Sequence, residues 1–247
     1  MKYLEDYRLD SRGMLEFGPG TVHAEPKIFY LNGYRDMFPD LLTEEDVPNR
    51  MLYALYEKNA LEQDLDTFNR YDLNYNLKMV LPGLIGREYV KTIPHFHPVD
   101  ETTGETYPEV HEVLAGEGVL LLQKNTLTGD RVNQSTAVEF SAGDQIYLKS
   151  GFGHTTINTG DQPVLIASLI RRRSETSFSS FQEKKGCLYS LIRTEQGYSE
   201  YVRNPHYPTA VGLDILPARA LDNPLYSPEG LYGAFIRDPE RFSVLWK

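Results

Sequence analysis

The side chains best able to do chemistry in this chain are its histidines, three of which fall between Pro94 and Gly118. His95 and His97 are separated by one residue, so on a strand both point to the same face. Glu109 and His111 form a second pair with the same spacing. We expect both pairs to face the interior of one β-structure.

A fifth candidate, His154, lies downstream after "GDQIYLKSGFG", and Asn158 follows it four residues later. Imidazoles and one carboxylate that converge inside a β-barrel suit a divalent first-row metal ion and leave positions for water or substrate. Several spacings agree for His95, His97, Glu109 and His154, so these four are the metal candidates.

The elements that must position these residues are predicted to be strands. Between about Lys78 and Ile170, short runs rich in β-branched and aromatic residues alternate with Gly, Asn and Asp turns. Many short strands at such spacing indicate an all-β sandwich or barrel. The glycines of "VLAGEGVLLLQ" predict a hairpin.

Three parts of the chain are distinguished by composition. Residues 1–50 are predicted to be an N-terminal extension with a short helix that begins at Thr43, because a hydroxyl followed by acids suits a helix N-terminus. Residues 51–207 form the predicted β-domain. Residues 208–247, with repeated Pro and Gly, are predicted to be an extended arm on this domain or on a partner subunit.

Charge and composition exclude some function classes. The formal net charge of −10 argues against a general binder of nucleic acid or anionic membranes. Cys187 is the only cysteine, and no run approaches the ~20 apolar residues of a membrane span. With no apolar signal core at the start of the sequence, we expect a cytoplasmic protein.

The spacing of the metal candidates resembles that of the cupin superfamily. "HFH", and then Glu109 with six residues before Gly116, matches the second half of the first cupin motif. Gly143, Gly151, His154 and Asn158 match the second motif, with Lys149 where a proline usually stands. The resemblance implies a cupin double-stranded β-helix, that is, a jelly-roll barrel. The loop of eleven residues between His97 and Glu109 is longer than usual.

Within the cupins, "LPGLIGREYVKTIPHFHP" and "EVHEVLAGEGVLLLQ" look like the cupin-type glucose-6-phosphate isomerases. This resemblance implies one divalent metal ion per subunit, with Fe²⁺ the first expectation and Mn²⁺, Ni²⁺ or Zn²⁺ as alternatives. It implies His95, His97, Glu109 and His154 as ligands and a homodimer as the assembly. It also implies that Thr92 contacts phosphate, which on a regular strand requires a break or bulge near Pro94.

The departures from the family pattern lie around the expected substrate. His111 stands where the family has a tyrosine, and Pro94 replaces a glycine. Lys78 replaces a threonine implicated in phosphate binding, and "RRRSETSFSSFQ" replaces a stretch that contributes to the sugar site. We expect Thr92, Lys78 and Arg171 to hold the phosphate.

The resemblance implies an aldose–ketose isomerisation of glucose 6-phosphate through an enediol. Glu109 is the first candidate base and His111 the second, and His111 is alternatively a metal ligand or a structural residue. Two rival functions remain open: a cupin that binds a sugar or sugar phosphate without turnover, and an iron-dependent oxygenase.

Overall fold

The computed structural model describes residues 7–10, 14–38, 47–101, 104–126, 131–172, 176–208 and 211–246. Its strands are short, as the recurrent β-branched and aromatic runs predict. They are β1 Tyr7–Leu9, β2 Leu15–Phe17, β3 Thr21–Val22, β4 Lys27–Tyr30, β5 Met51–Tyr56, β6 Ala60–Leu61, β7 Leu73–Val80, β8 Leu84–Ile85, β9 Glu88–Tyr89, β10 Glu109–Ala115, β11 Glu117–Asn125, β12 Val132–Ser141, β13 Gln145–Leu148, β14 Phe152–Asn158, β15 Val164–Arg171, β16 Tyr189–Arg193, β17 Ser199–Arg203 and β18 Leu213–Pro217.

Helical segments are few and short. The α-helices are α1 Leu65–Arg70, α2 Ser179–Glu183 and α3 Leu231–Arg237, and the 3-10 turns are Leu31–Gly33, Arg35–Met37, Glu62–Asp64, Ala218–Ala220 and Pro239–Leu245. None of the described helices has the length and apolar character that crossing a membrane requires. The helix predicted to begin at Thr43 lies outside the described residues.

Two large sheets pack face to face. One has six strands in the order β13-β10-β15-β7-β5-β4, and the other has four in the order β14-β11-β12-β18. Their inner faces share one apolar core, to which the first sheet contributes Ile146 and Ile166 and the second Leu120 and Val138. The sheets do not close into a continuous barrel, but their arrangement is that of a jelly roll, which confirms the predicted all-β fold class.

The hairpin predicted at "VLAGEGVLLLQ" is wrong. Strand β10 pairs with β13 and β15, whereas β11 pairs with β12 and β14, so the chain crosses from one sheet to the other at this point. Gly116 makes the crossing with φ +82°, and a Cβ there would lie 2.9 Å from both Pro163 O and Val164 Cα. Gly116 is therefore needed where the chain crosses between the two sheets, and not for a turn within one sheet.

Residues 211–246 lie against the same domain. Strand β18 extends the four-stranded sheet by pairing in parallel with β12, from Ser135–Leu213 to Glu139–Pro217. Helix α3 packs on the outer face of the six-stranded sheet in a second apolar core that includes Phe68 and Phe235. The C-terminal segment is thus partly helical, and it covers a sheet face that would otherwise expose apolar side chains.

Candidate metal centre

The segment that carries His95 and His97 joins the four-stranded sheet through isolated bridges. Lys91 is bridged to Ile157 and His95 to His154. Lys91 and His95 are four residues apart, whereas their partners Ile157 and His154 are only three apart. The segment that carries His95 therefore contains one extra residue. This irregularity is a bulge of the kind expected near Pro94.

The bulge changes which side chains face the interior. Thr92 and His95 have opposite parity in sequence, yet both line the same cavity. The Thr92 hydroxyl accepts a hydrogen bond from Thr156 N at 2.9 Å, and Thr92 O accepts one from the Thr155 hydroxyl at 2.6 Å. These bonds hold the irregular backbone in place.

Phe96, between the two histidines, points away from the site. Its ring stacks on Phe181 with centroids 4.9 Å apart. Gly153 leaves the space for this stack, since a Cβ there would lie 2.7 Å from each of the two rings. The alternation of His95, Phe96 and His97 thus places the imidazoles inward and anchors the segment on its other side.

Glu109 and His111 lie on β10 at the period of two expected for one strand face, and β10 pairs here with Ile170 and Ser168 of β15. Three imidazoles lie within 3.6 Å of the Glu109 carboxylate. Its Oε1 lies 3.1 Å from His111 Nε2, and its Oε2 lies 3.4 Å from His97 Nε2 and 3.6 Å from His154 Nε2.

The two sheets therefore bring the predicted ligands together. The rings of His95 and His154 have centroids 4.3 Å apart, and those of His97 and His154 are 5.3 Å apart. Two overlapping sets of donor atoms, each within 4.8 Å of one another, could hold a metal ion: His95, His97 and His154, and Glu109, His111 and His154. All five side chains are buried.

Backbone carbonyls orient two of the imidazoles. His95 Nδ1 lies 2.9 Å from Ile93 O, and His97 Nδ1 lies 2.9 Å from Tyr107 O. A carbonyl only accepts hydrogen bonds, so in each neutral ring Nδ1 carries the proton and Nε2 keeps its lone pair. This is the arrangement usual for histidines that bind a metal through Nε2.

Several donor atoms of this set are buried without a hydrogen-bond partner, as expected for a site that binds a divalent cation. Glu109 Oε2 and both ring nitrogens of His154 are buried without a hydrogen-bond partner. Buried polar atoms without partners are rare, and a bound ion is one of the explanations for them. Three imidazole nitrogens and one carboxylate form a ligand set that first-row divalent metals accept.

The protonation states favour cation binding. Burial lowers the pKa of His95 to about 3, with further lowering by Lys78 and His97. Burial also holds the pKa of His154 well below its usual value. Burial alone would raise the pKa of Glu109, but its contact with His111 and the charges of His97 and Lys78 hold that pKa well below its usual range. Neutral imidazoles at His95 and His154 and an ionised carboxylate at Glu109 are the forms that bind metals.

A narrow cavity of about 80 Å³ opens beside these ligands. Its walls follow the period of two along the six-stranded sheet, with Asn74, Asn76 and Lys78 from β7 on one side. The cavity is smaller than the roughly 300–1,000 Å³ of typical ligand pockets.

The family model described as glucose-6-phosphate isomerase matches residues 36–208, about 70% of the chain. The chain belongs to the glucose-6-phosphate isomerase family. Among its relatives, the glucose-6-phosphate isomerase of Thermococcus litoralis is 28% identical over 214 residues, which are 84% of this chain and 99% of that protein. The enzyme of Pyrococcus horikoshii is 26% identical over 194 residues, 78% of this chain and 94% of that protein.

Among solved structures, oxalate decarboxylase from Bacillus subtilis aligns with 51% of this chain at 16% identity and a TM-score of 0.37. The chain spans about a quarter of that longer protein, 27% of its length. The family assignment rests on the sequence match.

The two described arginines at the end of β15, Arg171 and Arg172, lie in different places. Arg171 does not line the metal-side cavity; it borders a separate cavity with Asp100, Tyr107 and Trp246. Arg172 lines the metal-side cavity and donates hydrogen bonds to Asn74 Oδ1 at 3.2 Å and Asn69 Oδ1 at 2.8 Å. From these arginines we chose Arg171 on sequence, whereas Arg172 shares the parity of Ser168 on the inward face of β15.

Lys78 and His111, two further residues singled out from the sequence, differ in their access to the cavity. Lys78 is 7% exposed, lines the metal-side cavity and makes no hydrogen bond to any described residue. His111 is fully buried and does not line the cavity, so it lies behind Glu109 as seen from the substrate side. This position distinguishes His111 from the glutamate, although both lie on the same strand face.

Proposed function

We propose that this protein is a metal-dependent sugar-phosphate isomerase that interconverts glucose 6-phosphate and fructose 6-phosphate. The observation that carries the proposal is the convergence of His95, His97, Glu109 and His154 beside a cavity that also presents Lys78 and Thr92. Membership of the glucose-6-phosphate isomerase family supports the choice of substrate pair.

The proposed ligands of one divalent ion are those four side chains, with Fe²⁺ expected first and Mn²⁺, Ni²⁺ or Zn²⁺ as alternatives. When bound, the ion supplies Lewis-acid stabilisation for negative charge that develops on the sugar oxygens. His111 Nε2 lies 3.1 Å from Glu109 Oε1, so this imidazole is placed against the carboxylate.

Isomerisation moves a proton between C2 and C1, while a hydroxyl proton passes to the carbonyl oxygen. In this proposal Glu109 takes the carbon-bound proton and returns it to the neighbouring carbon, because Glu109 lines the cavity and is ionised. Fully buried behind it, His111 orients the carboxylate rather than touching the sugar. This assignment replaces our expectation that His111 competes as the base.

The phosphate is proposed to bind Lys78 and Thr92. The Lys78 side chain lines the cavity and makes no hydrogen bond to a described residue, so an anion in the cavity would supply an acceptor. Arg172 replaces Arg171 as the arginine on this cavity. Its Nε donates to Asn74 Oδ1, and Asn74 stands four residues before Lys78 on β7.

The experiment is an assay of the purified protein after removal of metal by a chelator and reloading with Fe²⁺ or Mn²⁺. We expect interconversion of the two hexose phosphates only after reloading, and loss of that activity in His97→Ala, with His206→Ala as a control at an exposed histidine. Calorimetric binding of glucose 6-phosphate without turnover would instead favour a sugar-phosphate sensor. Oxygen uptake with the loaded protein would favour an oxygenase.

Homodimerisation and a cytoplasmic location complete the proposal. The first follows the family resemblance and is measured by analytical ultracentrifugation. The second is the location expected from the sequence, whose single cysteine allows no disulfide within the chain. Fractionation of cells that contain the tagged protein tests it.

A further inference from the structure

The two predicted histidine ligands of the "HFH" segment are oriented in different ways. His95 Nδ1 lies 2.9 Å from Ile93 O, two residues earlier in the same segment. His97 Nδ1 lies 2.9 Å from Tyr107 O, ten residues later and at the far end of the enlarged loop. The orientation of His97 therefore depends on how that loop closes, whereas the orientation of His95 is local.

The loop is closed by a short series of contacts between its two limbs. Val99 is bridged to Thr106, and Asp100 N donates to Glu105 O at 2.8 Å. The hydroxyl of Thr106 accepts a hydrogen bond from Gly151 N at 2.6 Å, which ties this end of the loop to the end of the β13–β14 connection, directly before β14. The loop thus has a defined shape near His97.

Arg171 joins both limbs of the loop to the end of β15. Its Nη1 lies 2.9 Å from Asp100 Oδ2 on the first limb, and its guanidinium lies 4.9 Å from the ring centroid of Tyr107 on the second. Its Nε lies 3.6 Å from Asp72 Oδ2, which anchors the guanidinium to the turn before β7. The side chains of Arg171 and Asp100 are only 24% and 12% exposed, so solvent screens this pair less than a surface pair.

We propose that Arg171 is a positioning residue for the metal centre: by clamping Asp100 to Tyr107 it fixes the carbonyl that orients His97. The inference rests on the proposed metal-dependent function and adds a residue that touches neither metal nor sugar. Partners that orient a metal-binding histidine typically change metal affinity by 10–100-fold when removed. Because Arg171 acts through Tyr107, we expect the lower end of that range, about tenfold.

The test measures the dissociation constant of Mn²⁺ by chelator competition in the full-length protein. Arg171→Gln is expected to raise it about tenfold, and Arg171→Lys, which keeps a charge for Asp100 but not the planar stack, is expected to raise it less. Arg237→Gln, which removes an exposed arginine from its pair with Glu229, is the matched control and should leave it unchanged.

A second variant separates positioning from folding. Tyr107→Leu keeps the carbonyl but removes the ring beneath Arg171, so it should weaken Mn²⁺ binding, and the double variant with Arg171→Gln should be less than additive. The absorption spectrum of the Co²⁺-loaded protein should shift in both single variants, because the coordination of His97 changes. A general loss of stability would lower the unfolding temperature without changing that spectrum.

The outcomes separate this inference from the proposed function. If wild-type protein binds Mn²⁺ stoichiometrically and both Arg171→Gln and Tyr107→Leu bind it with the wild-type dissociation constant and Co²⁺ spectrum, Arg171 has no positioning role while the metal site stands. If wild-type protein binds no Mn²⁺, the metal site itself is lost, and the role of Arg171 is lost with it.

Discussion

His95 and His154 exchange two backbone hydrogen bonds across the interior, from His95 N to His154 O at 3.2 Å and from His154 N to His95 O at 2.9 Å. This pair brings two candidate ligands from distant parts of the chain to one position. It also defines the bulge, because the next bridge along the segment, between Lys91 and Ile157, is one residue out of register with it. The position of Thr92 in the cavity follows from that shift.

Replacing Thr92 by valine is expected to lower the free energy of unfolding by about 1–3 kcal/mol, because Thr156 N loses a buried acceptor. The same change should raise KM for glucose 6-phosphate. Thr92→Ser, which keeps the hydroxyl, is the control and should preserve both quantities. Urea unfolding and steady-state kinetics measure them, and a fully stable Thr92→Val would show that the bulge does not depend on this hydroxyl.

Lys78→Met is expected to act in opposite directions on substrate and metal. Loss of a hydrogen bond from a charged group, about 1.5–3 kcal/mol, corresponds to a rise in KM of roughly tenfold to a hundredfold. Removal of a buried positive charge close to Glu109 should at the same time lower the dissociation constant of Mn²⁺. The exposed Lys124→Met is the control. Weaker Mn²⁺ binding in Lys78→Met would contradict the electrostatic argument.

The metal-free protein should lose stability as the pH falls below about 6.5, the ordinary pKa of histidine. Burial lowers the folded-state pKa of His95 to about 3, and lowers those of His111 and His154 as well. Each ring therefore takes up its proton in the unfolded chain first, and stability declines between pH 6.5 and the lower folded-state pKa. Urea midpoints measured from pH 8 to pH 5 test this, and an unchanged midpoint throughout would contradict it.

Gln145→Ala is expected to lower the free energy of unfolding by about 1–3 kcal/mol. Its amide donates to Ser227 O at 2.7 Å and accepts from Ser227 N at 2.8 Å, so its loss leaves buried backbone groups of the C-terminal segment unpaired. Gln134→Ala, at an exposed position of β12, is the matched control. Faster limited proteolysis after 208 should accompany the loss in Gln145→Ala, and identical digestion of both variants would exclude this anchoring role.

The all-β class and the grouping of the candidate ligands could be predicted from the sequence. Period-two spacing determines which face of a strand a side chain occupies, so residues two apart were expected on one face. The sequence led us to Arg171, whereas Arg172 lines the metal-side cavity; a run of three arginines gives no indication of where β15 ends, and the inward parity of Arg172 is evident only once Ser168 is known to face the cavity. The hairpin predicted at Gly116 was wrong, because a glycine with positive φ occurs both in hairpin turns and where a chain crosses from one sheet to another. The burial of His111 behind the cavity wall could not be predicted, because spacing along one strand does not encode depth.

The most direct test of the account is the interconversion of glucose 6-phosphate and fructose 6-phosphate by one protein preparation, first stripped of metal and then reloaded with Fe²⁺ or Mn²⁺. We expect no turnover before reloading, turnover after it, and none in reloaded Glu109→Gln, which keeps the shape of the side chain but removes the base. Equal turnover in the stripped and reloaded preparations, or in Glu109→Gln and the wild type, would contradict the central claim.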